Sequence, residues 1–308
     1  MNCLNGARWL PETFDSVRAQ TFQDYEIIFW DNHSTDESAA IAKAYGPQLV
    51  LWQNSETLPL GTARNRAIAM ARGRYIAFLD CDDLWLPEKL ALQVRLFEQN
   101  PRLGLVCTDT EIFTGDKIRN RMFAGNTPAR GMVFAELVER QWISMSSAML
   151  RADAIASCRL PGTNGCFDEN LNICEEADLF YRIAHDWELD YIDASLTRWR
   201  MHTSNTTFTK FDRLAAETAT ILERQRQLFT DFDKEYPQTA ALLSNRAAFQ
   251  EALALWREGR NREARAMLAK ISPRSLKHRA FQLASWLPGF MFDFFSRLYF
   301  SLPRCFRR

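Results

Sequence analysis

Three carboxylates stand almost together in Asp80-Cys81-Asp82-Asp83, directly after the apolar run Tyr75-Ile76-Ala77-Phe78-Leu79. Successive side chains of an extended chain point to opposite faces, so Asp80 and Asp82 face the same way and can converge on one divalent cation. Hard oxygen ligands of this kind suit Mg²⁺ or Mn²⁺, which keep waters and recruit a substrate's phosphates to complete their shell. The same acids also suit a helix N-terminus, because Leu86-Pro87-Glu88-Lys89 follows, with proline at a first-turn position and Leu90, Val94 and Phe97 on one face. A second acidic group, Glu175-Glu176-Ala177-Asp178, opens another helix-like stretch. Its acids either stabilise the positive end of the helix dipole or supply a base.

Positioning these groups is the task of the flanking elements. The Tyr75 run is aromatic and β-branched with Gly73-Arg74 as a breaker before it, which predicts a parallel strand covered on both faces. Its acids then lie at the edge where open α/β sheets place their ligands. Upstream, Leu10, Phe14 and Val17 have helical spacing, and Tyr25 to Trp30 is a short apolar strand running into Asp31-Asn32-His33-Ser34-Thr35-Asp36-Glu37. Ser34 and Glu37 have the spacing of a capping box, which predicts a helix from about Thr35 toward Tyr45. Leu49 to Trp52 reads as a strand and Thr62 to Arg72 as a helix, and this alternation implies a parallel sheet. No G-x-G-x-x-G and no G-x-x-x-x-G-K occurs at these turns, so a dinucleotide-binding or P-loop site loses its main support.

Composition narrows the function classes. The chain has 308 residues with 38 Lys+Arg and 38 Asp+Glu, so no overall basic field invites nucleic acid, and that partner is not expected. Seven cysteines without a C-x-x-C pair argue against a zinc site or a disulfide framework and favour a reducing compartment. The opening Met1-Asn2-Cys3-Leu4-Asn5-Gly6 has neither the basic nor the apolar region of a secretory signal.

Four fragments, EIIFWDNHSTD from Glu26, GTARNRAIAMARGRYIAFLDCDD from Gly61, EEADLFYRI from Glu175 and WRMHTSN from Trp199, resemble glycosyltransferase family 2 in that order. The resemblance implies an α/β chain with the GT-A nucleotide-sugar-binding fold, a mainly parallel central sheet and inverting sugar transfer. It carries Asp31 and Asn32 onto the positions that hold nucleotide base and ribose, with asparagine where the family has a second acid. Arg64 and Asn65 match its A-R-N segment on the donor side. Asp80-Cys81-Asp82 matches its D-x-D element, which implies Asp82 as metal ligand, with Asp80 facing ribose or metal-bound water. His202 is implied beside the metal and Arg200 as a further diphosphate contact. Glu176 matches the catalytic base, where the family has aspartate; Glu175 shares that role as an open alternative, and Asp178 lies in the same turn. The cofactor implied is Mg²⁺ or Mn²⁺, the donor a nucleotide sugar, and the acceptor a glycan or lipid-linked hydroxyl of the kind used in cell-envelope polysaccharide biosynthesis. A catalytically inactive GT-A scaffold that binds a sugar nucleotide or a partner is the alternative.

The expected organisation is a GT-A domain over 1–208, a helical appendage over 209–272 and an amphipathic, aromatic and arginine-rich tail over 273–308. Residues 214–229, 240–256 and 261–270 carry apolar side chains at helical spacing. Pro288-Gly289, Asp293 and Arg297 interrupt the tail, which argues against a transmembrane helix. Its aromatics with Arg297, Arg304, Arg307 and Arg308 suit an in-plane contact at the inner face of the membrane by a cytoplasmic protein, or a partner-facing or self-packed helix. In the family a first strand precedes the N-x-x-N-G loop, here Asn2 to Gly6. Met1 falls at that loop, so the natural chain is expected to begin about ten residues upstream, one strand and a short lead.

Overall fold

The structure is a computed structural model that describes residues 1–125, 127–163, 165–203, 205, 213–271, 281 and 283–286. The chain divides into two compact units, Met1–Asn205 and Thr206–Arg308.

The first unit opens with β1 (Asn2–Cys3), α1 (Leu10–Arg18), β2 (Ile27–Asp31), α2 (Ser38–Lys43), β3 (Leu49–Gln53) and α3 (Leu60–Ile68). Its three strands form a parallel sheet in the order β1-β2-β3, with Asn2 opposite Trp30 and Ile27 opposite Leu49. Next come β4 (Tyr75–Ala77), β5 (Leu84–Trp85), α4 (Lys89–Gln99), β6 (Leu103–Thr114), β7 (Lys117–Arg121), α5 (Phe134–Glu139), β8 (Met149–Arg151), α6 (Ala152–Ser157), α7 (Glu175–Asp186) and β9 (Glu188–Arg200). These strands build a second sheet in the order β4-β8-β6-β9-β5, with β7 paired to β6. The long β6 and β9 run parallel, and the remaining pairs are antiparallel. A single parallel bridge, Asn2 to Asp80, connects the two sheets at the acidic edge.

Three local expectations change. The Tyr75 strand is three residues long, half-buried and antiparallel to β8, because Phe78 donates to the carbonyl of Ala148 and the Asp80 amide turns to the Ser146 hydroxyl. The capping box does not form: the Ser34 hydroxyl accepts from the Asn5 amide, so α2 begins later and Asp36 accepts from the Ser38 amide instead. Asn2 and Cys3, expected in a loop, form β1, since their backbone pairs with that of Trp30 and Asp31.

The core of this unit sits where α1 and α4 cover the sheets, with Leu10, Phe14, Phe29, Leu79, Phe97, Val106 and Met149 buried together. Proline in the first turn of α1 and apolar residues on one face explain why that segment is helical and which side it buries. A cavity of about 630 Å³ adjoins this core, bounded by Met1, Ile28, Ala67, Tyr75, Val94 and Met149 among others. Its lining includes Arg64 but none of Asp31, Asp80, Asp82, Glu176 or His202, so the acidic groups and the imidazole lie outside it.

The second unit contains α8 (Leu214–Leu228), α9 (Phe232–Glu235), α10 (Pro237–Arg257) and α11 (Asn261–Lys270). Phe249, Leu253, Trp256, Ala264, Leu268, Ile271 and Phe281 bury one another in its core. Gly259 takes φ +80° between α10 and α11, a conformation that glycine adopts without a side-chain penalty. The tail read from the sequence over 273–308 lies almost wholly outside the described residues. Among the described residues no helix is long and apolar enough to cross a membrane.

Candidate active site

The acidic run is held as a turn, Asp80 to Asp83, and each carboxylate has its own partner. Asp80 Oδ1 accepts from Arg64 Nη2 at 3.3 Å, and Asp82 Oδ2 lies 2.8 Å from His202 Nε2. Asp83 is 1% exposed and accepts from the Ser146 hydroxyl at 2.6 Å and the Arg200 amide at 2.9 Å. Burial, with repulsion from Asp82 and Asp80, holds the Asp83 carboxyl well above its ordinary range, and its bonds from Ser146 and Arg200 anchor the turn. Asp82 and Asp80 remain as the more exposed pair. Burial and then the Asp80 charge raise the Asp82 carboxyl, while His202 opposes the shift. Asp83 and Ser146 escaped the sequence reading as site residues because nothing local marks a serine 63 positions away as a partner.

Arg64 joins the two acidic clusters. It projects from α3, is 4% exposed, and donates to Glu175 Oε1 at 2.6 Å as well as to Asp80. Burial works against its charge, but Glu175, Asp80 and Glu176 outweigh that and raise its pKa. Glu175, buried at the start of α7, is therefore committed to an ion pair. Glu176, the next residue, is half-buried, and burial pushes its carboxyl up to about 8; Arg64 pulls the other way, while Glu175 and Asp80 add to the rise. Asp178 is fully buried and accepts from Arg182 Nε and Nη2, while Arg182 also donates to the carbonyls of Cys158 and Cys166. That ion pair fixes α7 to the preceding loop, a structural position rather than one beside the acidic turn.

The remaining expected donor contacts divide in the same way. Asp31 ends β2, 2% exposed, and accepts from the Ser34 amide at 3.0 Å. Asn32 donates to the Leu58 carbonyl and accepts from the Leu58 amide, closing the loop between β3 and α3. Asn65 accepts from the Cys166 and Phe167 amides and donates to the Phe167 carbonyl, so it anchors the loop that leads into α7. Arg200 donates to the Asp82 carbonyl at 2.8 Å and to Glu12 Oε2 at 2.6 Å, gripping the acidic turn from β9. Trp9, which the sequence reading also passed over, stacks on His202 at 5.7 Å with the guanidinium of Arg200 at 4.4 Å from its ring. His202 and Asp82 are thus placed by an aromatic wall and a cation at the rim of the turn.

Among the described residues no three His, Cys, Asp or Glu side chains form a complete metal cage. Asp82, whose proton affinity burial and the Asp80 charge raise, and Asp80 beside it, with an imidazole alongside, do fit a hard divalent cation whose shell is completed by phosphate oxygens and water.

Comparison with known proteins gives consistent likenesses. The chain is 26% identical over 199 residues to an uncharacterised glycosyltransferase of Methanocaldococcus jannaschii, covering 63% of this chain and 66% of that protein, just under two thirds of its length. A shorter stretch of 87 residues is 38% identical to WfaP of Escherichia coli, a UDP-Glc:α-D-GlcNAc-diphosphoundecaprenol β-1,3-glucosyltransferase, and covers 28% of this chain and 35% of that one. In fold, the chain resembles a mannosyltransferase from Pyrobaculum calidifontis solved with GDP-Man and Mn²⁺, with a TM-score of 0.60, 16% identity, and coverage of 92% of this chain and 77% of that one. Like that GT-A neighbour, the chain is a mixed α/β protein with a C-terminal helical region. The family model described as Glycosyl transferase family 2 matches residues 1–155, the first half of the chain, and the protein belongs to that family.

Proposed function

We propose that the chain is an inverting glycosyltransferase that moves a hexosyl group from a nucleotide diphosphate to a glycan or lipid-linked hydroxyl. The observation that carries this reading is the Arg64 bridge, which sets Glu176 beside the acidic turn while leaving it outside the Arg64–Glu175 ion pair. An ionised Glu176 takes the proton of the acceptor hydroxyl as that oxygen bonds to the anomeric carbon. The bond from that carbon to the donor's diphosphate oxygen breaks in the same step, and the nucleoside diphosphate leaves with the electron pair. Attack opposite the leaving group inverts the anomeric configuration. Asp31 orients the nucleoside, and Arg200 with Trp9 and His202 keeps the acidic turn in register. Asp82 and Asp80, with His202 alongside, would hold Mg²⁺ or Mn²⁺, which supplies neutralising charge to the departing diphosphate. The UDP-Glc donor and diphosphoundecaprenol-linked acceptor in the name of the Escherichia coli relative, and the GDP-Man and Mn²⁺ bound by the structural neighbour, support these classes of ligand.

The scaffold alternative draws on Asn32, whose amide is occupied by the Leu58 backbone at a position expected to face the donor. One measurement decides between them: release of nucleoside diphosphate from a panel of nucleotide sugars with Mn²⁺ or Mg²⁺. Turnover of one donor, retained binding in Glu176→Gln with a loss of about 100- to 10,000-fold in rate, and weakened donor binding in Asp82→Ala are expected. Absence of binding to every donor would leave the scaffold reading.

A further inference from the structure

Two thiols meet beneath the acidic turn. Cys3 ends β1, and Cys81 lies between Asp80 and Asp82. The parallel bridge of Asn2 to Asp80 brings Cys3 and Cys81 one residue past a paired position, Cys3 at the end of β1 and Cys81 in the turn. Gly6 closes the arrangement: a Cβ on that residue would lie 2.8 Å from the Sγ of Cys3 and 2.8 Å from the Sγ of Cys81. Both sulfurs converge on the space above Gly6, and Cys81 packs against the buried cluster that holds Cys3. Cys3 is buried and Cys81 is partly exposed.

We infer that Cys3 and Cys81 form a reversible disulfide under peroxide, and that closing it disables the donor site. In the reaction the two S–H bonds and the O–O bond of hydrogen peroxide break and one S–S bond forms. Two electrons pass from the sulfurs to the peroxide, and both protons leave in the two waters produced. A dithiol reductant reverses the bond by exchange. Contact between two sulfurs must contract to a bond of about 2.05 Å, which draws the Cys81 backbone toward β1. Asp80 and Asp82 flank Cys81 directly and move with it. The inference rests, for its effect on donor binding, on the donor site proposed above. A bond of this kind, formed only under oxidation, is also the form that disulfides take in reducing compartments.

The test uses the full chain, with and without hydrogen peroxide, and two separate readouts. Remaining thiols are alkylated and peptides mapped for a Cys3–Cys81 link; binding of UDP and of GDP, each with Mn²⁺, is measured before oxidation, after it, and after dithiothreitol. A linked peptide, nucleotide binding weakened by about tenfold or more, and recovery on reduction are expected. Cys3→Ser and Cys3→Ala should each bind nucleotide as the parent does and keep that affinity in peroxide; either suffices should the other fail to fold. Over-oxidation of Cys81 without the link overturns the inference, and so does a linked chain that binds nucleotide unchanged. A reduced chain that binds neither nucleotide defeats the donor-site reading, whereas a missing link in a chain that binds nucleotide defeats the disulfide alone.

Discussion

Glu176 and Glu175 are consecutive residues with opposite circumstances, and that difference sets their chemistry. Glu175 is locked to Arg64, so Arg64→Met removes the guanidinium that faces its carboxylate and should cost about 3–5 kcal/mol in urea unfolding. Adding Glu175→Gln should return much of that loss; a cost below about 1 kcal/mol would mean that the bridge is not structural. Glu176 has its proton affinity raised in the folded state to about 8. Its contribution to stability is therefore full below the ordinary carboxylate range and is lost as pH rises through about 8. Glu176→Gln stays neutral, so its thermal midpoint should fall less than the parent's between pH 5 and pH 9. In the proposed role of base Glu176 must be ionised to act, so kcat/KM should climb with pH toward about 8 and level off above it. A flat profile over that range would remove Glu176 from the role of base.

At the level of elements, α3 does more than carry Arg64. It lies against the loop that leads into α7, with Asn65 bonded to the backbone of Cys166 and Phe167 and Gly61 beneath Asp168. A Cβ at Gly61 would sit 2.6 Å from the Asp168 carbonyl oxygen, so only glycine permits this approach. Gly61→Ala should lose about 1–3 kcal/mol of stability and shift the start of α7, read together by urea unfolding and donor turnover. Full stability with full turnover would show that the loop yields freely. The helix itself was legible in the sequence, and so was the polar pair Arg64-Asn65. Their partners were not, because Glu175 is 111 residues from Arg64 and Phe167 is 102 from Asn65. Local spacing says that a side chain is polar on a helix, and only packing says what it meets. The same limit explains the capping box: Ser34 has the right spacing, but Asn5 takes its hydroxyl.

Across the whole molecule, the two sheets join by one bridge beside a cavity of about 630 Å³, with the Met1 amine donating to the Ile28 carbonyl at its margin. Burial pushes that amine down to about 6, a cost that a peptide bond in its place would remove. Placing about five apolar β-branched residues before Met1, in parallel register with β2, should fill the cavity and raise the thermal midpoint by several degrees. An unchanged midpoint would mean that the strand does not enter. Sequence alone marked the apolar strands at Ile27 and Leu49 and the buried helical face of α1, and it marked the acids at Asp80 to Asp83 and at Glu175 to Asp178. Those features are local, since periodicity and clustering are properties of neighbours along the chain. Tertiary structure decided that Asp83 anchors the acidic turn, that Glu175 and Asp178 are held in ion pairs, and that Asn32 and Asn65 fasten loops. It also decided that Tyr75 to Ala77 runs antiparallel to β8 and that Cys3 meets Cys81. Those outcomes depend on which distant groups arrive within hydrogen-bonding distance and how much water they exclude, and no window along the chain contains that information.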